Sequence, residues 1–420
     1  MTPRRPEAKP TAFEGTLRGF DLTWEVPLVD AKTLGVAPRV DELLARANGG
    51  PVGEHSDGAF EWTGSLAAHV LEVRTPELVG DLAPLSGAMA ATTARLANLS
   101  AELGMALLPV AMHPWMQPHR EAELWGHDLA PVYRTFDRLF DCRRHGWANV
   151  QGIRLGFAFE GPAEFGRLMR AVRAVLPWIP ALAAASPFEE GRSTGILDKR
   201  LVHARHRADR IPELVGEVIP EQVYDQATYR EEILQPIARH LAELDEEGAL
   251  VDREWINGRG AIARFDRKTI QIGLIDAQEN GVAGLAVCAA IASAVTILLE
   301  ERFVGLADLG ALPVAELVTQ LGACVGQGEK AIIVHPRLAR ALGADGARDA
   351  GEVWRRVIEA EPPGDPALGA HLEHVLREGT LASRLVRAVG DPITDQNLQS
   401  VAERLVEGVR TGHSFAATAG

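Results

Sequence analysis

The chain has 420 residues, 46% of them hydrophobic, which is enough to bury a large core as two ordinary domains or one big one and excludes a disordered scaffold. Its net charge of -14 argues against a nucleic-acid groove or an anionic membrane as the main partner, although local arginine clusters can still hold phosphates. The three cysteines, Cys142, Cys288 and Cys324, lie far apart, fit reduced thiols better than a disulfide framework, and show no zinc spacing.

Residues 1–14 carry charge and proline without an apolar stretch, so a flexible tail is expected there, not a signal peptide, and with it a cytoplasmic location. The segments 19–30 (GFDLTWEVPLVD), 65–75 (SLAAHVLEVRT), 149–159 (NVQGIRLGFAF) and 269–276 (TIQIGLID) alternate in polarity and predict sheet strands, each with one mixed or polar face. Residues 162–188 follow a helical period until prolines interrupt it. The stretch from Gly281 to Glu301 is nearly long enough to span a bilayer, but its alanine and serine content, acidic flank and solitary status predict a buried core helix. From about Arg302 the pattern is helical, with breaks at 359–369 and 389–393. Strands do not alternate regularly with single helices, so a mixed α+β fold is expected, not a doubly wound parallel sheet.

Two strands raise a question of chemistry. In the last, Ile270, Ile272 and Leu274 share one parity, and Gln271 and Gly273 the other. In the third, Gly152, Arg154, Gly156 and Ala158 share a parity, so one long cation stands on an otherwise bare face with room left beside it. Arg154 either finds carboxylates across the sheet or points to solvent.

Several motifs together resemble the glutamate–cysteine ligase family of the carboxylate–amine ligase type, a branch of the glutamine-synthetase-like fold. They are MHPW (112–115), FDCRRHGWANVQG (140–152), LPWIPALAAASPFEEGRSTGILDKRL (176–201), IPELVGEVIPE (211–221), EWINGRGAIARFDR (254–267), DAQE (276–279) and LVEGVRTGHSF (405–415). The resemblance runs from about Phe20 to Phe415 and implies a curved, mainly antiparallel sheet funnel with packed helices, occupying 15–420. It also implies an enzyme that phosphorylates a substrate carboxylate with ATP and lets an amine attack the acyl phosphate, with Mg²⁺ ions neutralising the crowded anions.

At the positions that would hold those ions the chain departs from the family pattern. Where the first strand of the family resembles Gly-Ile-Glu-Leu-Glu, this chain has Asp21-Leu22-Thr23-Trp24-Glu25, so Glu25 is kept and the other acid is Thr23. Ser65 replaces an acid while Glu72 remains; Gly152, Arg154 and Gly156 stand for Ser-x-His-x-Asn; Gln271 and Gly273 stand for a glutamate and an arginine. Glu25 and Glu72 are thus the residual metal-ligand candidates, and Arg154 is the expected neutraliser of the charge the metals would have carried. Arg259, Arg264 and Arg267 resemble family positions that can hold nucleotide phosphates, with a structural basic run as the alternative. His113 and His145 read as hydrogen-bonded core histidines, and Trp115, Trp125, Trp147 and Trp255 as core or pocket wall. The expected function is a non-catalytic or strongly altered homologue, acting as partner or regulator of an active ligase or other biosynthetic-pathway protein, or as a binder of a small amino acid or peptide. An active ATP-dependent ligase is the alternative, and Mg and ATP are required only in that case.

Overall fold

Apolar residues at every second position build the centre of the molecule. A computed structural model describes residues 17–245, 248–250 and 253–417; the tail expected at 1–14 lies outside them. The strands are β1 (Phe20–Asp30), β2 (His55–Asp57), β3 (Phe60–Gly64), β4 (Val70–Arg74), β5 (Met105–Leu107), β6 (Gly152–Ala158), β7 (Phe188–Glu189), β8 (Arg192–Ser193), β9 (Ala261–Arg264) and β10 (Thr269–Asp276). Eight form one sheet in the order β2-β3-β4-β1-β6-β10-β9, with β5 pairing the far end of β1; β7 and β8 make a small hairpin. All the strand pairs are antiparallel. The architecture is therefore α+β.

One face of the sheet is core. Leu22, Trp24, Val26, Leu71, Val73, Ile153, Leu155, Phe157, Ile270 and Ile272 are buried on it. The helix Gly281–Leu299 lies against this face, where Gly284 brings its backbone up to β6; a Cβ there would fall 2.5 Å from Ile153 Cδ1. Asn280 caps the helix by accepting from the Ala283 amide at 2.8 Å. It is the one helix among the described residues long and apolar enough to cross a membrane, and it is almost wholly buried. The helices Leu85–Glu102, Gly161–Val175, Ala350–Ala360 and Pro366–Glu378 surround it.

Two expected strands are shorter than predicted. The strand expected at 65–75 begins only at Val70, because residues 65–69 form the connection from β3, with the Val70 amide donating to the Ala67 carbonyl at 2.9 Å. That expected at 149–159 spans Gly152–Ala158. The helical pattern of 162–188 is interrupted at its prolines as expected: the helix stops at Val175, where Pro177 removes a donor, and the chain continues as the short turns Leu176–Trp178 and Pro180–Ala183. Beyond β10 the described chain is helical. Its last part is tied to the sheet by Arg384, which donates to both Glu279 oxygens at 2.9 and 2.8 Å and to the Phe415 carbonyl at 2.6 Å.

Candidate functional site

The face of the sheet opposite the core is polar, and the strand register sets what meets there. Glu25 lies opposite Glu72 across β1 and β4, Thr23 opposite Arg154 across β1 and β6, and Gln271 opposite Gly156 across β10 and β6. Since residues directly paired across strands point to one side, these positions share a face. Arg154 reaches across it: its Nη2 is 2.7 Å from Glu72 Oε1 and 3.1 Å from Glu25 Oε1. Ser65 Oγ also donates to Glu72 Oε1 at 2.9 Å, and the Gly152 amide donates to Glu25 Oε2 at 2.9 Å.

The electrostatics follow from two acids and one cation in a recess. Burial raises the Glu25 carboxyl above its usual range, Arg154 pulls it back, and the Glu72 charge pushes it up again. The Tyr133 phenol, from the helix Ala130–Phe140, is pushed up by burial and then by Glu72. The recess is not sealed: the Arg154 side chain is 38% exposed, against 15% for Glu25 and 17% for Glu72.

The face is less bare than its sequence suggests. A Cβ on Gly156 would fall 2.2 Å from Asp21 Oδ1, and one on Gly152 would fall 2.9 Å from Arg200 Nη1, so each glycine makes room for a charged neighbour. Asp21 accepts from Gln271 Nε2 at 3.4 Å and from Thr269 Oγ1 at 3.3 Å. Arg200 forms an ion pair with Asp276, and both are nearly inaccessible. Asp276 also accepts from the Ala185 amide at 2.7 Å and Ser186 Oγ at 2.9 Å. Burial and the Asp276 charge hold the adjacent Asp198 carboxyl well above the carboxylate range.

Asp276 reaches this face through a β-bulge. Ile272 pairs with Leu155 and Ile275 with Ile153, so Gly273 and Leu274 together oppose Arg154 alone. The parity read from the sequence therefore holds only to Ile272; after it Ile275 is a core residue and Asp276 a polar-face one. At Gly273 a Cβ would meet nothing within 4 Å, and the carbonyl accepts from Arg200 Nη1 and Nη2 at 3.3 and 3.4 Å.

The three candidate phosphate-binding arginines do not converge. Arg259 grips Glu221 with two hydrogen bonds at 2.7 and 2.6 Å and also donates to the Glu213 carbonyl. Arg264 pairs with Asp266 at 2.7 Å, and Arg267 is exposed in the β9–β10 turn. His113 is fully buried, with Nε2 2.8 Å from the Leu34 carbonyl. His145 packs on His203 and lies 3.5 Å from Glu190. Trp125 is core beneath Gly64, Trp115 meets His113 edge-on, and Trp147 and Trp255 flank Phe136.

Magnesium needs several hard oxygen ligands in near-octahedral geometry. Glu25 and Glu72 are the two facing acids, but a guanidinium lies between them, and among the described residues there is no group of three or more His, Cys, Asp or Glu side chains that could hold a metal ion. The residues present do not fit a multi-magnesium site.

The antiparallel sheet backed by helices is the fold of solved glutamate–cysteine-ligase-type proteins. A bifunctional glutathione synthetase from Pasteurella multocida superposes with a TM-score of 0.63 at 14% identity, over 95% of this chain and 53% of that one. The chain thus spans about half the length of that enzyme. A glutamate–cysteine ligase from Francisella tularensis in complex with AMP gives a TM-score of 0.59 at 11% identity, over 96% and 91%. Residues 24–407 match Glutamate-cysteine ligase family 2 (GCS2), and the chain belongs to this family. An uncharacterised Archaeoglobus fulgidus protein is 30% identical over 90% of this chain and 94% of its own length. A Rubrobacter xylanophilus protein named "Putative glutamate--cysteine ligase 2-3" is 33% identical over 42% of this chain and 45% of its own.

Proposed function

We propose that this family member has exchanged its Mg²⁺–ATP site for an internal ion pair and serves as a non-catalytic or strongly altered homologue. Its role is to bind a small amino acid or peptide in the polar cleft, or to act as partner of an active ligase. The observation that carries this reading is Arg154, whose guanidinium touches both Glu25 and Glu72. A cation in that position supplies the positive charge two facing carboxylates require and repels a second one. Thr23, Ser65 and Gln271 add neutral groups where acids would be needed to collect further metal.

Calorimetric titration with Mg²⁺–ATP, with a ligation assay on glutamate and cysteine, tests it. The expected outcome is no saturable heat and no Mg²⁺-dependent turnover; robust turnover would instead support an active ATP-dependent ligase working with fewer metals. That second reading draws on the family membership and on the likeness to a ligase solved with AMP.

A further inference from the structure

Arg207, which follows the helix Lys199–His206, lies close enough to Arg200, Arg154 and Glu25 to feel their charges and, among the described residues, joins none of the ion pairs above. Its guanidinium lies over Trp147, 5.2 Å from the ring centroid, and Trp147 Nε1 donates to the Arg207 carbonyl at 3.0 Å. Two glycines admit it: a Cβ on Gly146 would fall 3.0 Å from Arg207 Cβ, and one on Gly258 would fall 2.8 Å from Nη2. Yet among the described residues none accepts a hydrogen bond from this guanidinium, and Nε is buried without a partner.

The neighbours show how unusual this is. Arg200 is neutralised by Asp276, and Arg154 by Glu25 and Glu72. Glu25 favours the Arg207 charge from a distance, but its oxygens are engaged by Arg154 and by the Gly152 amide. Burial, then Arg200 and Arg154, bring the Arg207 pKa down to about 10, which leaves it charged at neutral pH. A guanidinium presents five N–H donors in a planar fork matched to a carboxylate or phosphate edge. Leaving the buried Nε donor unmet is costly, and here the aromatic platform and both glycines are arranged around the group that bears the cost.

We propose that Arg207 anchors a metal-independent oxyanion subsite, which takes one carboxylate or phosphate group of a small ligand in the cleft beside Trp147 and Gly258. This rests on the reading that the cleft binds without Mg²⁺. The test uses the full chain in EDTA at constant ionic strength set with chloride, titrated with inorganic phosphate, acetate or succinate, and followed by calorimetry and thermal unfolding. Saturable binding with a rise in Tm is expected for at least one anion class, and which class responds identifies the group. Arg207→Met should weaken binding at least tenfold. In chloride alone it should be no less stable than the parent, since it removes an unmet cation, whereas a purely structural arginine would leave it less stable. Gly258→Ala, which keeps the arginine but crowds Nη2, should also weaken binding and serves if the first variant fails to fold. Anion binding undiminished in both variants, or no saturable binding of either class, overturns the subsite alone. Binding that appears only when Mg²⁺ replaces EDTA overturns both the subsite and the metal-free reading of the cleft.

Discussion

Arg154 concentrates the functional argument in one side chain, and its surroundings set what removing it should do. A fully buried pair broken on one side costs about 3–5 kcal/mol, while exposed pairs are worth about 1 kcal/mol or less. With 38% of the arginine side chain exposed, water screens much of the interaction, so Arg154→Ala should destabilise by about 1–2 kcal/mol in urea unfolding. Millimolar Mg²⁺ should recover part of that loss in the variant and leave the parent unchanged, because only the variant offers two unneutralised acids. An equal response from both proteins would mean that Arg154 does not take the place of metal charge. Arg154 was legible in the sequence because parity alone isolates it among glycines, and Asp21 shared a visible parity with Thr23 and Glu25. Arg200 and Arg207 were not legible: an arginine near a helix gives no local sign of whether a carboxylate from a distant segment will reach it.

At the scale of elements, β6 owes its position to the helix Gly281–Leu299 behind it, and Gly284 sets their separation. Replacing a helical glycine by alanine ordinarily gains about 1 kcal/mol. Here the new methyl would meet Ile153 Cδ1 in a filled core, and overpacking of that kind costs about 1–3 kcal/mol. Gly284→Ala should therefore destabilise the parent but stabilise an Ile153→Val background, which lacks the offending methyl; a double-mutant cycle that shows no change of sign would place the helix elsewhere. The helix itself was readable from its apolar run. The β2–β3 hairpin was not read, although Asp57-Gly58 between polar and aromatic residues is a turn signal, with Gly58 at φ 65°. The bulge at Gly273 and Leu274 had no local signal beyond the glycine, since its existence depends on the length of β6 beside it.

For the molecule as a whole, acid should be the effective denaturant, because two histidines are buried uncharged. Burial brings the His113 pKa down to about 4, and burial with the nearby His113 brings His69 down to about 3, from 6.5. Neither ring nitrogen of His69 has a well-formed hydrogen bond, although the Ala148 carbonyl lies close enough to favour its proton slightly. Both folded values are depressed, so the unfolded chain binds more protons over this range. The stability contributed by the neutral rings is complete above pH 6.5 and is lost as pH falls toward 4 and then 3. Urea midpoints should decline across that window, and His69→Leu should flatten the decline; an unchanged slope would mean that the acid sensitivity lies elsewhere.

The bulge opposite Arg154 also bears on how the gene can change. β10 carries one codon more than its ladder with β6 requires, since Ile272 and Ile275 pair with residues only two apart on β6. A chain lacking Gly273 would keep its pairings with β6 on both sides of the bulge, with Asp276 still facing Arg200, and would lose the carbonyl that Arg200 reaches and the amide that donates to the Gly260 carbonyl at 2.9 Å; loss of Leu274 would also remove a buried core side chain. β1 has no such slack in its ladder with β6, where Phe20 through Trp24 pair without a break, and a missing codon there would turn Leu22 or Trp24 out of the core. In-frame loss thus keeps the register on the strand that borders Arg154 from one side, at the cost of local contacts, and breaks it on the strand that borders it from the other.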